Sequence, residues 1–228
     1  MILKEIQMDL PFVNNKCNDY NESKKLYENT WKLKRRQFQL MSRCMTSMIE
    51  RLMPTVRTES YWKILIECVD ESPRKEVINL LGVCSIQILF DSTKFFNINN
   101  FEKKQYIIET IIKAINYLCI NNNIHLEEIR NVCDIIKGTN YTNEWFWKKP
   151  VKMAYKNVQI KILHEVDIVS IYMVFKDTKK GVIKEILIVQ DVPDEWIYNK
   201  YLGKLEWISE DTAQLVTKDG NIICRRYI

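Results

Sequence analysis

Side chains able to do chemistry are present in this chain but poorly spaced for it. Carboxylates neighbour one another at Asp70-Glu71, Glu127-Glu128, Asp194-Glu195 and Glu210-Asp211, and general acid–base catalysis draws on that residue type. Adjacent side chains point apart on a helix or a strand, so these pairs read as solubility features. Asp91 followed by Glu102-Lys103-Lys104 echoes a metal-dependent nuclease. That chemistry needs the Glu-x-Lys on a strand beside the aspartate, whereas here it opens a helix. The two histidines, His125 and His164, are not paired at metal-ligand spacing, and His164 falls on an inward strand parity, as a core histidine would. All five glycines are isolated, so no loop of clustered glycine cradles a phosphate. Seven cysteines stand singly with no C-x-x-C pair. Cys68, Cys84, Cys119 and Cys133 lie on apolar faces, as small buried thiols of a reducing compartment do. The expectation is a protein without metal, cofactor or catalytic centre.

What remains is binding. Residues 139–150 form the densest aromatic segment, with Tyr141, Trp145 and Trp147 as candidate partner anchors and Phe146 between the two tryptophans. Three consecutive residues cannot all face one way on a regular element. The segment therefore reads equally as a binding surface or as a loop pinned into the core. Glu127 and Glu128 supply a local acidic candidate. A basic cluster, Lys32, Lys34, Arg35 and Arg36, sits mid-helix and reads first as a solvated face, second as a nucleic-acid site. Lys148, Lys149, Arg225 and Arg226 join it in that second reading. The net charge of +5 is modest, which makes nucleic acid the weaker partner class.

The elements that must hold these residues follow from periodicity. Residues 2–10 alternate as a strand before Pro11. Residues 23–53 place Trp31, Phe38, Met41, Met45, Met48 and Leu52 on one helical stripe, ended by Pro54. Residues 61–69 alternate again, and 77–90 are apolar at nearly every position, as a central strand with Gly82 at a bulge would be. Asn99 with Glu102 makes a capping box for a helix whose stripe runs through Ile108, Ile111, Ile115 and Leu118. A second helix buries Leu126, Ile129, Val132, Cys133 and Ile136, with Gly138 as its cap. Residues 151–228 read as an antiparallel meander, closed by a hairpin through Lys218-Asp219-Gly220. The predicted fold is α+β: a mainly antiparallel sheet covered by a helical pair, with a long N-terminal helix. One domain spans 1–228, with residues 1–60 as a helical extension and 61–228 as the core. The hydrophobic content of 46% supports a real core. No apolar run of about 18 residues occurs, so no membrane contact is expected. Charges inside the first residues argue against a signal peptide, and a cytoplasmic location is expected.

Residues 98–228 resemble small bacterial immunity proteins that accompany polymorphic or contact-dependent toxins. The resemblance rests on the Phe101-x-Lys103-Lys104 helix opening with Glu109 and Ala114, on Asn140-Tyr141-x-x-x-Trp145, and on Leu202-Gly203-x-Leu205-x-Trp207 before a hairpin. It implies a non-enzymatic inhibitor that binds a cognate toxin domain directly. An inhibitor plugging a basic cleft needs acidic surface, so +5 overall points to another toxin class or to a local acidic patch. A nucleic-acid-associated protein, or a structural subunit of a larger complex, are the alternatives.

Overall fold

The computed structural model describes residues 1–12, 19–122, 126–179 and 181–227. Cys17 and His125 lie outside the described residues. The chain divides into two compact units, Met1–Thr142 and Asn143–Ile228. The class is α+β, and a long N-terminal helical stretch is present. The expected single domain with a helical extension at 1–60 gives way to this division. The first 60 residues build the core of the first unit and do not extend from it.

That unit runs β1 (Glu5–Asp9), α1 (Tyr20–Leu26), a π-helical turn (Tyr27–Trp31), α2 (Lys32–Leu52), β2 (Lys63–Val69), β3 (Ile78–Leu80), β4 (Val83–Leu89), α3 (Ser92–Asn97), α4 (Asn100–Asn122) and α5 (Glu127–Gly138). The sheet order is β1-β2-β4-β3, with β1, β2 and β4 mutually parallel and β3 antiparallel to β4. A parallel pair needs a long crossover, and the helical stretch between β1 and β2 supplies it. Ile6, Met8, Ile64, Ile66, Cys84 and Ile86 share one buried sheet face, and α2 packs along β1 through Phe38, Met41, Met45 and Met48. The helical pair belongs here too, with α4 against β4, α2 and α5. The sheet beside it is therefore mostly parallel, and the antiparallel meander lies in the other unit.

Two local expectations change. The apolar run 77–90 is a hairpin, because Leu81 and Gly82 both take positive φ (51° and 80°) and turn the chain between β3 and β4. A Cβ at Gly82 would sit 2.6 Å from Trp62 Cδ1, so the turn needs glycine sterically as well as conformationally. Gly138 ends inside α5, and the left-handed residues after it are Asn140 and Tyr141. The capping box forms as spaced: Asn99 N–H donates to Glu102 Oε2 and Glu102 N–H to Asn99 Oδ1, both at 3.0 Å.

The second unit contains β5 (Glu144–Met153), β6 (Lys156–His164), β7 (Val169–Asp177), β8 (Gly181–Asp191), α6 (Glu195–Tyr198), a 3₁₀ turn (Asn199–Tyr201), β9 (Lys204–Trp207), β10 (Thr212–Val216) and β11 (Ile222–Tyr227). Strands β5-β6-β7-β8 form a four-stranded antiparallel meander and β11-β10-β9 a three-stranded one. Val158, Ile160, Ile171, Met173 and Phe175 from the first sheet meet Ala213, Leu215 and Cys224 from the second in one core. Asn143 is fully buried, and its carbonyl accepts the His164 N–H at 2.9 Å.

Candidate functional site

The sequence candidates of the first unit are largely committed to holding the fold. Arg35 donates from Nε and Nη2 to the Asp9 carboxylate at 2.7 and 2.5 Å, and Gln39 adds a third bond at 2.8 Å. Asp9 is buried at the end of β1, so this fork fastens α2 to the sheet. Lys34 donates to Ser92 Oγ at 2.9 Å, and Ser92 in turn donates to Asp70. Its ammonium also lies 4.7 Å from the Trp31 ring centroid. Lys32 pairs with Glu28 along the helix, and Arg36 is exposed. Two of the four basic candidates thus serve the fold, which corrects the reading of the cluster as a solvated face.

The nuclease echo is absorbed in the same way. Asp91 caps α3 by accepting the Lys94 N–H at 2.8 Å, and Glu102 is spent on its own capping box. Tyr141 is buried edge-on against Phe101, with ring centroids 5.6 Å apart. Glu127 is exposed and paired with Arg130 at 3.1 Å, and Glu128 is exposed beside it. Among the described residues no group of histidine, cysteine and carboxylate side chains is arranged to hold a metal ion, and no helix is long and apolar enough to cross a membrane. Burial raises the thiol pKa of Cys84 to about 11 and of Cys133 to about 12, which keeps both protonated and unreactive.

In the second unit the aromatic segment is the opening half of β5. Trp145 and Trp147 share the inward parity and pack on the core, whereas Phe146 points outward and is 40% exposed. The segment is both things at once, a core-pinning strand with one outward ring. Tyr141, Trp145 and Trp147 are therefore not the exposed anchors expected of them. His164 is fully buried, its ring 5.9 Å from that of Tyr198.

Side chains the sequence reading passed over are placed together at the two ends of the meander. Antiparallel registry puts the start of β5, the β6–β7 turn and the end of β8 at one end. Glu144, Glu165, Asp167, Asp191, Asp194 and Glu195 gather there. The β5–β6 and β7–β8 turns lie at the opposite end and touch, with Thr178 N–H donating to the Tyr155 carbonyl at 2.9 Å. Lys148, Lys149, Lys152, Lys156, Lys176 and Lys179 lie on these hairpins, with Asp177 as the acid among them.

The acidic end also presents Trp196, 94% exposed on the helical turn α6. Asp194 caps that turn by accepting the Trp196 N–H at 3.0 Å, and Tyr198, two residues on, is buried. The turn thus fastens one aromatic inward and holds the other in solvent. Val192 and Leu187 are exposed as well. The only sequence signal for this was the Asp-x-Trp-x-Tyr spacing, and parity alone does not say which ring faces out.

Asp191 anchors the base of the turn. Burial alone would raise its pKa, but the Tyr201 hydroxyl at 2.7 Å, the Val192 N–H and Lys200 at 3.6 Å outweigh it and hold the carboxyl below its ordinary value. A depressed carboxylate contributes stability above its unfolded pKa and loses it as pH falls through the folded one. The gap in thermal midpoint between the wild type and Asp191→Asn is therefore expected to be widest near neutral pH and to close below about pH 4. A gap that is constant with pH contradicts this role.

Comparison with protein-family models, with curated proteins and with solved structures finds no match to this chain.

Proposed function

We propose that the chain is a non-enzymatic protein-binding protein, an immunity-type inhibitor that neutralises a cognate bacterial toxin domain by direct contact. The observation that supports this most is Trp196. A tryptophan held almost wholly in solvent by a buried neighbour and an aspartate cap has no role in its own core, and such aromatics are the anchors of protein interfaces. Exposed Glu144 and Asp167 at the same end of the meander favour a basic partner surface despite the net charge of +5. In this reading α4 and α5 are scaffold and Glu127 with Glu128 lie outside the contact. The protein works in the cytoplasm, where its free cysteines stay reduced.

The test is co-expression with the C-terminal domain of the product of the adjacent reading frame. The expected result is a complex that survives affinity purification and relieves growth inhibition by that domain. Growth inhibition that is unrelieved, with no complex recovered, overturns the reading.

A further inference from the structure

We propose that the hairpin-tip end of the second unit is a contact surface for single-stranded nucleic acid. This goes beyond the inhibitor reading and uses none of the residues around Trp196. Charge complementarity is the first argument. Lys149, Lys152 and Lys179 make no ion pair among the described residues, whereas Lys156 donates to the Glu210 carbonyl and its charge also acts on the Asp211 carboxylate. The carboxylates nearby, Asp177 and Asp211, are held by local hydrogen bonds from Lys179 N–H and from Ser209 and Thr212. The three lysines without carboxylate partners, on two touching hairpins, are a site for a chain of phosphates.

Exposed rings among the lysines distinguish a nucleic acid from an acidic protein. Tyr155 is 58% exposed at the tip and Phe146 40% exposed on the outer sheet face, with Lys176 Nζ 4.2 Å from the Phe146 centroid. Rings interleaved with lysines stack unpaired bases while the ammonium groups take the backbone.

Fluorescence anisotropy with a labelled uridine oligoribonucleotide of about 20 nucleotides, and with its deoxy counterpart, tests this on the full chain. The expected result is RNA binding at about 50 mM salt that weakens roughly thirtyfold by about 200 mM, as loss of three or four phosphate contacts requires. The deoxy oligonucleotide is expected to bind comparably, because phosphate contacts and base stacking are common to both. Tyr155→Ala should weaken RNA binding roughly tenfold at an unchanged salt slope, and Lys149→Gln with Lys152→Gln should flatten the slope by about 0.7 each. All three positions are exposed, so unchanged thermal unfolding is the control. Absence of RNA binding at low salt overturns the proposal. Equal capture of a polyglutamate peptide overturns it in favour of acidic proteins. None of these outcomes bears on toxin capture, which is read in the co-expression experiment.

Discussion

Phe38→Ala is expected to destabilise the first unit by about 3–5 kcal/mol, and to lower its thermal midpoint by roughly 10 °C. Phe38 is fully buried on α2, with its ring centroid 5.3 Å from that of Phe90 and 5.1 Å from that of Phe95. Phe90 in turn stacks on Tyr106 of α4 at 4.7 Å. The cluster therefore joins the crossover helix, the end of β4, α3 and α4 through a single set of rings. Removing the central one forfeits burial and leaves a void that four separate elements cannot close together. Calorimetry of the variant is the check. A loss below about 1 kcal/mol, as at a surface position, would show that these elements do not share this core.

Asp9→Ala is expected to cost about 2–3 kcal/mol. Breaking a buried pair by removing one partner typically costs about 3–5 kcal/mol, and the value is reduced here because the Arg35 side chain is 35% exposed and water screens the charge left behind. The carboxylate itself is only 7% exposed and accepts three side-chain bonds. Its loss strands Arg35 and Gln39 and loosens α2 from the edge strand. A guanidinium keeps its proton even without that partner, so the cation cannot escape by deprotonating. The double variant Asp9→Leu with Arg35→Met is expected to recover most of the loss, because an apolar pair of similar volume avoids the desolvation cost. Denaturant midpoints of the single and double variants decide it. A double variant no more stable than Asp9→Ala would place the effect outside this ion pair.

Local signals in the sequence translated into structure where the interaction itself is local. The capping box at Asn99 and Glu102, the Phe38-to-Met48 stripe and the hairpin through Asp219-Gly220 each bring together residues a few positions apart. Pairing of β1 with β2 has no such signal, because its register is set across a long crossover. Residues 1–60 therefore read as an extension although they supply the edge strand and the helix that covers it. Leu81 was the obstacle at the β3–β4 turn, since leucine seldom takes positive φ and the apolar run hid the reversal.

The candidate surfaces were less legible than the fold, for the same reason. Trp145 and Phe146 look alike in sequence, and only the registry of β5 against β6 assigns one inward and the other outward. Lys34 and Arg35 looked like a solvated charge run until β1 and α3 brought Asp9 and Ser92 to them. The gathering of the hairpin lysines at one end of the meander arises only when alternate turns are stacked side by side. Trp196 depended on a single helical turn whose cap places neighbouring aromatics on opposite sides.

Titration calorimetry of Trp196→Ala against the C-terminal domain of the adjacent reading frame's product tests the claim of a Trp196-anchored interface most directly. The expected result is a loss of at least about 2 kcal/mol of binding free energy, roughly thirtyfold in affinity, with the thermal midpoint unchanged because the side chain touches no core. Undiminished affinity, or a midpoint that falls with the substitution, would contradict it.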